Sequence, residues 1–416
     1  VRERERPCGD ARKPDNPRKI MSLVTVLILS ILPTLLPITG TYAQPAATPV
    51  TVTISITTTG APNRFFAISG GDTLVQVAHP LYLASSSTQA MFTTGDDFTG
   101  SATGTLSGSI NGRFNTIWVD ITTTSMRGLS SGHASYTDAS GTMEFLMAFD
   151  VEATLSGGNI AAASLKGYGF SKASTGIYNG KLLFLTLEGS LTEANTYQLN
   201  GEGYLFSGCE DISFSVSASR GQNPGENRGF LLQNGDKVVQ YEYTDITIDA
   251  ANTNVYLVTL QKLVGTASGG LAGSFTLDSN AIIISSGTYA GRGYSVARFS
   301  FTSPDGTLDG FLLLDNINYG QHKGYMAAHS GTGVFHNKYF IGSFDGTFYN
   351  PPNYYDYKGS GTLKGCRVPP PPPPPKVMPP VGGEVYSSDK LAILAPYIAL
   401  IGLASVVAVA VKRRKT

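Results

Sequence analysis

The sequence predicts an all-β protein with two tandem homologous domains, each an antiparallel β-barrel or β-sandwich, followed by one C-terminal transmembrane helix. Apolar segments of 6–12 residues, separated by Gly, Asn, Asp and Ser, are typical of strands and tight turns. The 48 glycines, 21 tyrosines and 20 phenylalanines fit the same class. An internal repeat and a long uncharged run near the end complete the prediction.

The repeat consists of three blocks that occur twice in the same order, at offsets of 164, 165 and 157 residues. Apolar positions align with apolar positions throughout, which indicates a tandem duplication. At about 160 residues, each copy is too long for a solenoid unit and has the size of a whole domain. The blocks, first copy before second, are Asn63–Val77 with Asn227–Tyr241, Tyr136–Asp150 with Phe301–Asp315, and Lys166–Lys181 with Lys323–Lys338. At this domain size we prefer a barrel-like meander.

The composition then divides the chain into six segments. They are a leader with a signal peptide (1–43), the first β-domain repeat (44–210), the second (211–367), a proline-rich stalk (368–390), a transmembrane helix (391–411) and a basic cytoplasmic tail (412–416).

The N-terminal segment has the features of a secretory signal peptide. An apolar run from Leu23 to Leu36 precedes the small residues Thr41 and Ala43, which predicts cleavage after Ala43. The alternative is an uncleaved anchor, but prolines interrupt a run that is already short.

The C-terminal segment predicts a membrane anchor on a rigid spacer. Leu391 to Val411 contains 21 residues without a charge, enough to span a bilayer as a helix, and the basic "KRRK" that follows favours the cytoplasmic side. Seven prolines, Pro369 to Pro375, favour an extended polyproline II rod outside the membrane.

About the last forty residues, which include "PPVGGEVYSSDKLAILAPYIALIGLASVVAVAVKRRK", resemble the C-terminal anchors of archaeal single-pass, S-layer-associated cell-surface proteins. The resemblance implies a protein of the cell membrane with its N-terminus outside, an extracellular ectodomain and partners among surface-layer or envelope components. It does not extend to the two repeats.

The charge distribution argues against nucleic-acid binding. Of 30 basic and 30 acidic residues, 13 basic and six acidic ones lie in 1–20 and 368–416, which leaves 17 and 24 for the rest. A nucleic-acid-binding domain has the opposite balance.

Several polar residues recur at equivalent positions of the two repeats. Two interpretations remain: a structural role in turns and at strand ends, or one ligand pocket per repeat. The residues, first copy before second, are Asn63 and Asn227, Arg64 and Arg228, Asp72 and Asp236, Gln76 and Gln240, and Asp150 and Asp315. Asp150 and Asp315 are expected to end strands.

No motif identifies a catalytic or metal site, and no cofactor is expected. "GLSSG" at 128–132 matches a nucleophile elbow, but the elbow needs a helix after it, whereas "HASYTDASGTMEF" predicts a strand. Asp96 and Asp97 lack the spacing of a calcium loop. Trp118 is expected in a core. Three histidines, His322, His329 and His336, recur every seven residues, which does not place them on one face of a strand.

The cysteines leave two possibilities. Without the leader, only Cys209 and Cys366 remain, one at the same place in each repeat. Both are free thiols, or they form a disulfide that clamps the second domain beside the stalk. We favour the disulfide, since the first and last strands of a closed sheet are often neighbours and the extracellular location permits oxidation.

These features predict a membrane-anchored surface protein whose two β-domains have a binding or structural role in the cell envelope. We expect no enzymatic activity. The alternative is an anchored extracellular hydrolase acting on glycans, which would need paired carboxylates about 5–9 Å apart in a cleft. A third possibility is a sensor subunit, which would need a partner helix in the membrane.

Overall fold

The structure is a computed structural model that describes residues 47–68, 71–79, 82–83, 89–220, 227–349 and 356–368. The predicted leader, the transmembrane helix, the tail and all of the stalk after Val368 lie outside these residues. Helical turns occur in the described ranges only as two short 3-10 segments, Gly176–Tyr178 and Gly333–Phe335. None of the described residues belongs to a helix long and apolar enough to cross a membrane.

The first repeat folds into a closed antiparallel barrel, barrel 1. Its strands are β1 (Ala47–Thr58), β2 (Asn63–Phe66), β3 (Thr73–Leu74), β4 (Tyr82–Leu83), β5 (Ala90–Gly104), β6 (Gly108–Val119), β7 (Ser125–Asp138), β8 (Gly141–Ser156), β9 (Asn159–Ser174), β10 (Leu182–Glu193) and β11 (Thr196–Phe206). Strands β5 to β11 form a meander in chain order, and β1 closes it by pairing with both β11 and β5. Strand β2 pairs with the first residues of β5, and β3 pairs with β4.

The second repeat has the same topology and forms barrel 2. Its strands are β12 (Glu210–Arg220), β13 (Asn227–Leu232), β14 (Lys237–Val238), β15 (Ile246–Thr247), β16 (Thr253–Gly269), β17 (Gly273–Ile284), β18 (Gly293–Ser303), β19 (Gly306–Asn318), β20 (Gln321–Gly331), β21 (Lys338–Tyr349) and β22 (Asp356–Arg367). Strand β12 closes the barrel between β22 and β16, as β1 does in barrel 1. The all-β prediction is confirmed, and the domains are barrels.

Three apolar cores stabilise this arrangement. One fills barrel 1, one fills barrel 2, and the third lies between the barrels and receives side chains from both. In the shared core the rings of Phe66 and Phe230, at equivalent positions of the repeats, stack with centroids 4.8 Å apart. The two barrels therefore pack against each other through apolar side chains of their outer faces.

The shared core explains the continuous apolar runs of the sequence. In β8, Phe145 and Met147 point into barrel 1, whereas Leu146 and Ala148 point into the shared core. Strand β19 alternates in the same way between barrel 2 and the shared core. Burial on both faces, which the runs predicted, is confirmed, and the second face is covered by the other barrel.

Tight coiling of the strands requires glycine at some interior positions. A Cβ on Gly100 in β5 would lie 1.9 Å from the carbonyl oxygen of Ser55 in β1. A Cβ on Gly203 in β11 would lie equally close to the carbonyl oxygen of Phe184. Glycine at such positions lets neighbouring backbones approach where the barrel bends.

Candidate functional site

Two of the repeated polar pairs form reciprocal ion pairs between the barrels. Arg64 of barrel 1 donates to Asp236 of barrel 2 through Nε (2.6 Å) and Nη2 (2.5 Å). Arg228 of barrel 2 donates to Asp72 of barrel 1 through the same atoms, at 3.0 and 2.9 Å. The two carboxylates are nearly inaccessible to solvent, with side-chain exposures of 1% and 3%. Each of the two Arg–Asp pairs is a bidentate, charge-assisted contact that joins the repeats.

A second reciprocal contact involves two asparagines that the repeat comparison missed. Asn280 of β17 accepts from Val75 N at 2.9 Å and donates to Val75 O at 2.7 Å. Asn115 of β6 makes the same two bonds with Val239, both at 3.0 Å. The sequence could have indicated this contact, because the two asparagines lie 165 residues apart, which is the offset of the neighbouring repeat block.

The remaining repeated residues lie in or near the same interface. Asn63 accepts a hydrogen bond from Thr93 Oγ1 at 2.8 Å, and of Asn227 the structure describes only the backbone, in β13. Gln76 and Gln240 are both buried, and Gln240 donates to the carbonyl of Gly293 at 2.5 Å.

The prediction that Asp150 and Asp315 end strands is wrong, because both are buried inside strands, in β8 and β19. Asp315 accepts from three successive backbone N–H groups, of residues 241 to 243, at 2.7 to 2.9 Å. Burial raises the pKa of Asp315 to about 6, while these three bonds act in the opposite direction. Asp150 accepts likewise from Val77 N, Ala78 N and His79 Nδ1. Each carboxylate fixes the loop of its own repeat that reaches the other barrel.

The interface thus has the pattern of an isologous contact: two surfaces with the same residues pack against each other, so every contact occurs a second time with the repeats exchanged. Most of the repeated polar residues serve this contact. Asn63 also lines a cavity.

The candidate catalytic motif and one of the candidate histidines lie in regular strands and among packed aromatic rings. The whole "GLSSG" segment lies within β7, so the turn of a nucleophile elbow does not form there. His329 lies against the rings of Tyr168 and Phe184, with centroids 4.6 and 5.4 Å apart. Among the residues that the structure describes, no three His, Cys, Asp or Glu side chains are placed to hold a metal ion.

One end of barrel 1 contains a cavity of about 190 Å³. It is lined by apolar and polar side chains of the barrel strands and by the residues that connect β1 to β2. Polar lining residues include Asn63, Thr93, Asp96, Thr116 and Ser130, and aromatic ones include Phe114 and Trp118. Trp118, predicted in a core, is buried in the barrel interior and also lines this space.

Polar groups of this cavity are held in place by their neighbours. The Trp118 indole donates to Thr93 Oγ1 at 3.2 Å, and the hydroxyls of Thr116 and Ser130 are 2.5 Å apart. Asp96 Oδ1 accepts from Gly60 N at 3.0 Å, which fixes the β1–β2 connection over the cavity. Burial raises the pKa of Asp96.

The interior of the corresponding end of barrel 2 is filled, with a cavity of about 10 Å³. A groove of about 420 Å³ also touches His322 there, but it is more open and is lined by exposed side chains such as Tyr349 and Lys358. Two of the side chains that line it, His322 and Phe348, take the places of Leu165 and Leu191 in barrel 1 at the offset of 157. Burial lowers the pKa of His322 to about 4. The two barrels therefore share a topology but differ in whether this end is open.

Cys209 and Cys366 form a disulfide, with Cα atoms 4.6 Å apart. Pairing of β12 with β22 places Glu210 opposite Gly365 and so brings the two cysteines together. Cys366 lies within β22, one residue before the end of this strand. The bond closes barrel 2 next to the point where the described chain ends.

Compared with known proteins, the chain matches no protein-family model, no curated protein and no solved structure. The geometry of the cavity is therefore the basis for assigning a function.

Proposed function

We propose that the chain is a membrane-anchored cell-surface protein that presents its fused barrels outside the cell as a ligand-binding head. The signal-peptide pattern before residue 44, the proline run and the uncharged segment 391–411 support the location. The resemblance of the last forty residues to archaeal surface-protein anchors supports an envelope setting, with surface-layer or other envelope components as partners.

The observation that favours binding over a purely structural role is the difference between the barrels. Both barrels have the same strand order, and barrel 2 fills the end that barrel 1 leaves open at about 190 Å³. Because the fold is compatible with a filled interior, the opening in barrel 1 is not required for folding. Small-molecule sites commonly occur in the mouths of β-barrels.

The alternative, an anchored hydrolase acting on glycans, has less support. Such an enzyme uses two carboxylates about 5–9.5 Å apart. Among the described residues that line the cavity, Asp96 is the single carboxylate. A binding role needs no second one.

Protease treatment of intact cells tests the location. We expect cleavage near residues 368–380, after the last described strand, and release of a soluble fragment that contains both barrels. A cytoplasmic protein of the same cells is the control for intact membranes and should remain uncut. A head that stays attached and protected would contradict the proposed orientation.

A further inference from the structure

We infer that the open end of barrel 1 binds an uncharged polyhydroxylated ring, such as one sugar residue of a glycan. This inference rests on the proposed binding role and names its ligand class. The cavity of about 190 Å³ is large enough for a small ring with its substituents, because one water molecule needs about 10–15 Å³ of such space.

The charge of the lining excludes an anionic ligand. None of the described lining residues is Lys, Arg or His, and one, Asp96, is acidic. A phosphate, sulfate or carboxylate would therefore enter beside a carboxylate without a cationic partner. Burial of such an unpaired charge is strongly unfavourable.

A cationic ligand is a poorer match than a neutral one. Asp96 already accepts hydrogen bonds from Gly60 N and from Thr59 Oγ1, at 3.0 and 3.3 Å, so the carboxylate is partly engaged by the β1–β2 connection. The other polar groups are hydroxyls and amides. Thr93 already donates to Asn63 and accepts from Trp118. Thr116 and Ser130 share one hydrogen bond, which leaves one O–H donor and acceptor lone pairs for a ligand. Hydroxyls both donate and accept, which is what the hydroxyls of a sugar require.

Aromatic side chains provide the apolar part of the site. Phe114 and Trp118 point into barrel 1 and line the same cavity. The aligned positions of barrel 2, at the offset of 165 set by the strand pairing, carry Ser279 and Ile283. Both the aromatic lining and the open end are therefore found in barrel 1 and not at the equivalent positions of barrel 2.

The single tryptophan of the chain makes the test direct, because Trp118 lines the cavity and no other tryptophan contributes to the emission. The full-length protein in detergent is titrated with methyl β-D-glucopyranoside, methyl β-D-galactopyranoside, methyl α-D-mannopyranoside and N-acetylglucosamine. Tetramethylammonium chloride and sodium benzoate serve as cationic and anionic probes. We expect a saturable change of Trp118 fluorescence with at least one neutral sugar, with a dissociation constant in the millimolar range, and no saturable change with either ion.

Two variants show whether the change comes from the cavity. Leu165→His with Leu191→Phe introduces the residues that fill barrel 2 and should abolish the response. Asp96→Asn keeps the size of the side chain and should weaken sugar binding about tenfold, since hydrogen bonds to a charged acceptor are stronger. Val264→Phe, at an exposed position of barrel 2, is the matched control and should leave the response unchanged. Thermal unfolding of each variant shows whether it is folded.

Three outcomes would overturn the inference. A saturable response only to tetramethylammonium or benzoate would refute the ligand class, and no response to any probe would refute the site. A sugar response that persists in the folded, filled variant would place binding elsewhere. The protease experiment on intact cells is unaffected by these results, so failure of the ligand class and failure of surface display can be distinguished.

Discussion

Arg64 in the first barrel donates two hydrogen bonds to Asp236 in the second, 172 positions further along the sequence. The equivalent pair, Arg228 with Asp72, makes the same contact in the opposite direction. The duplicated chain is thus built like a homodimer whose two subunits are covalently joined.

Replacement of Arg64 by Ala should reduce the free energy of unfolding by about 3–5 kcal/mol, because it leaves the buried carboxylate of Asp236 unpaired. Urea unfolding of the full-length protein measures the loss. Lys166→Ala is the matched control, since Lys166 pairs with Glu188 on the surface, where solvent screens the ion pair and its loss should change the stability little. Equal effects of the two substitutions would contradict the assigned role of the interface.

Substitutions at Leu313 and Leu312 test how the shared core and the core of barrel 2 each contribute to stability. Both are fully buried, but Leu313 belongs to the shared core and Leu312 to the interior of barrel 2. Either change to Ala should cost about 2–5 kcal/mol. Leu313→Asp should in addition uncouple the barrels, so that calorimetry resolves two transitions, whereas Val264→Asp at an exposed position should preserve the wild-type profile. A single transition in Leu313→Asp would mean that the barrels remain coupled.

Acidification should destabilise barrel 2 through His322. Burial holds the pKa of this histidine at about 4 in the folded chain, below its ordinary value of 6.5, so the neutral form is favoured by folding. The resulting stability is complete above pH 6.5 and is lost as the pH falls towards 4, by at most about 3 kcal/mol.

The variant His322→Leu, which carries the residue found at the equivalent position 165 of barrel 1, tests this pH dependence. Its stability should fall less than that of the wild type between pH 7 and pH 4, as measured by urea unfolding at each pH. Parallel pH profiles of the two proteins would refute the assignment.

The disulfide should be visible in the unreduced protein as one linked peptide pair containing Cys209 and Cys366. It closes a loop of 157 residues, for which the chain-entropy model gives a stabilisation of about 5 kcal/mol. A reducing agent should therefore lower the unfolding midpoint of the wild type. It should leave unchanged the midpoint of the double variant that carries both Cys209→Ser and Cys366→Ser. Two alkylatable thiols without a linked pair would exclude the bond.

The sequence was sufficient for the repeat, the all-β class and the strands that are buried on both faces. Runs such as "EFLMAFDV" require apolar surroundings on either side, and the strand periodicity makes this visible without a structure. What covers the second face could not be derived, because another sheet, a helix or a second copy would produce the same run.

The role of the repeated polar residues was ambiguous for a related reason. A constant offset between Arg64 and Arg228, and between Asp72 and Asp236, is expected both for a pocket in each repeat and for a reciprocal contact between repeats. Only the three-dimensional arrangement separates the two. The cavity was not predicted because it depends on positions at which the two repeats carry different residues, such as Trp118 and Ile283. The strand pairing shows that these two residues occupy equivalent positions, and the sequence blocks that match do not include them.

The shared core has a consequence for biosynthesis. Barrel 1 is complete at Phe206, but the side chains that cover Leu146 and Ala148 belong to residues made later. At about 5–20 residues per second, translation of the next repeat takes on the order of ten seconds. During that interval the newly made first barrel has an uncovered apolar flank, which makes it a client for chaperones and exposes it to association with neighbouring nascent chains.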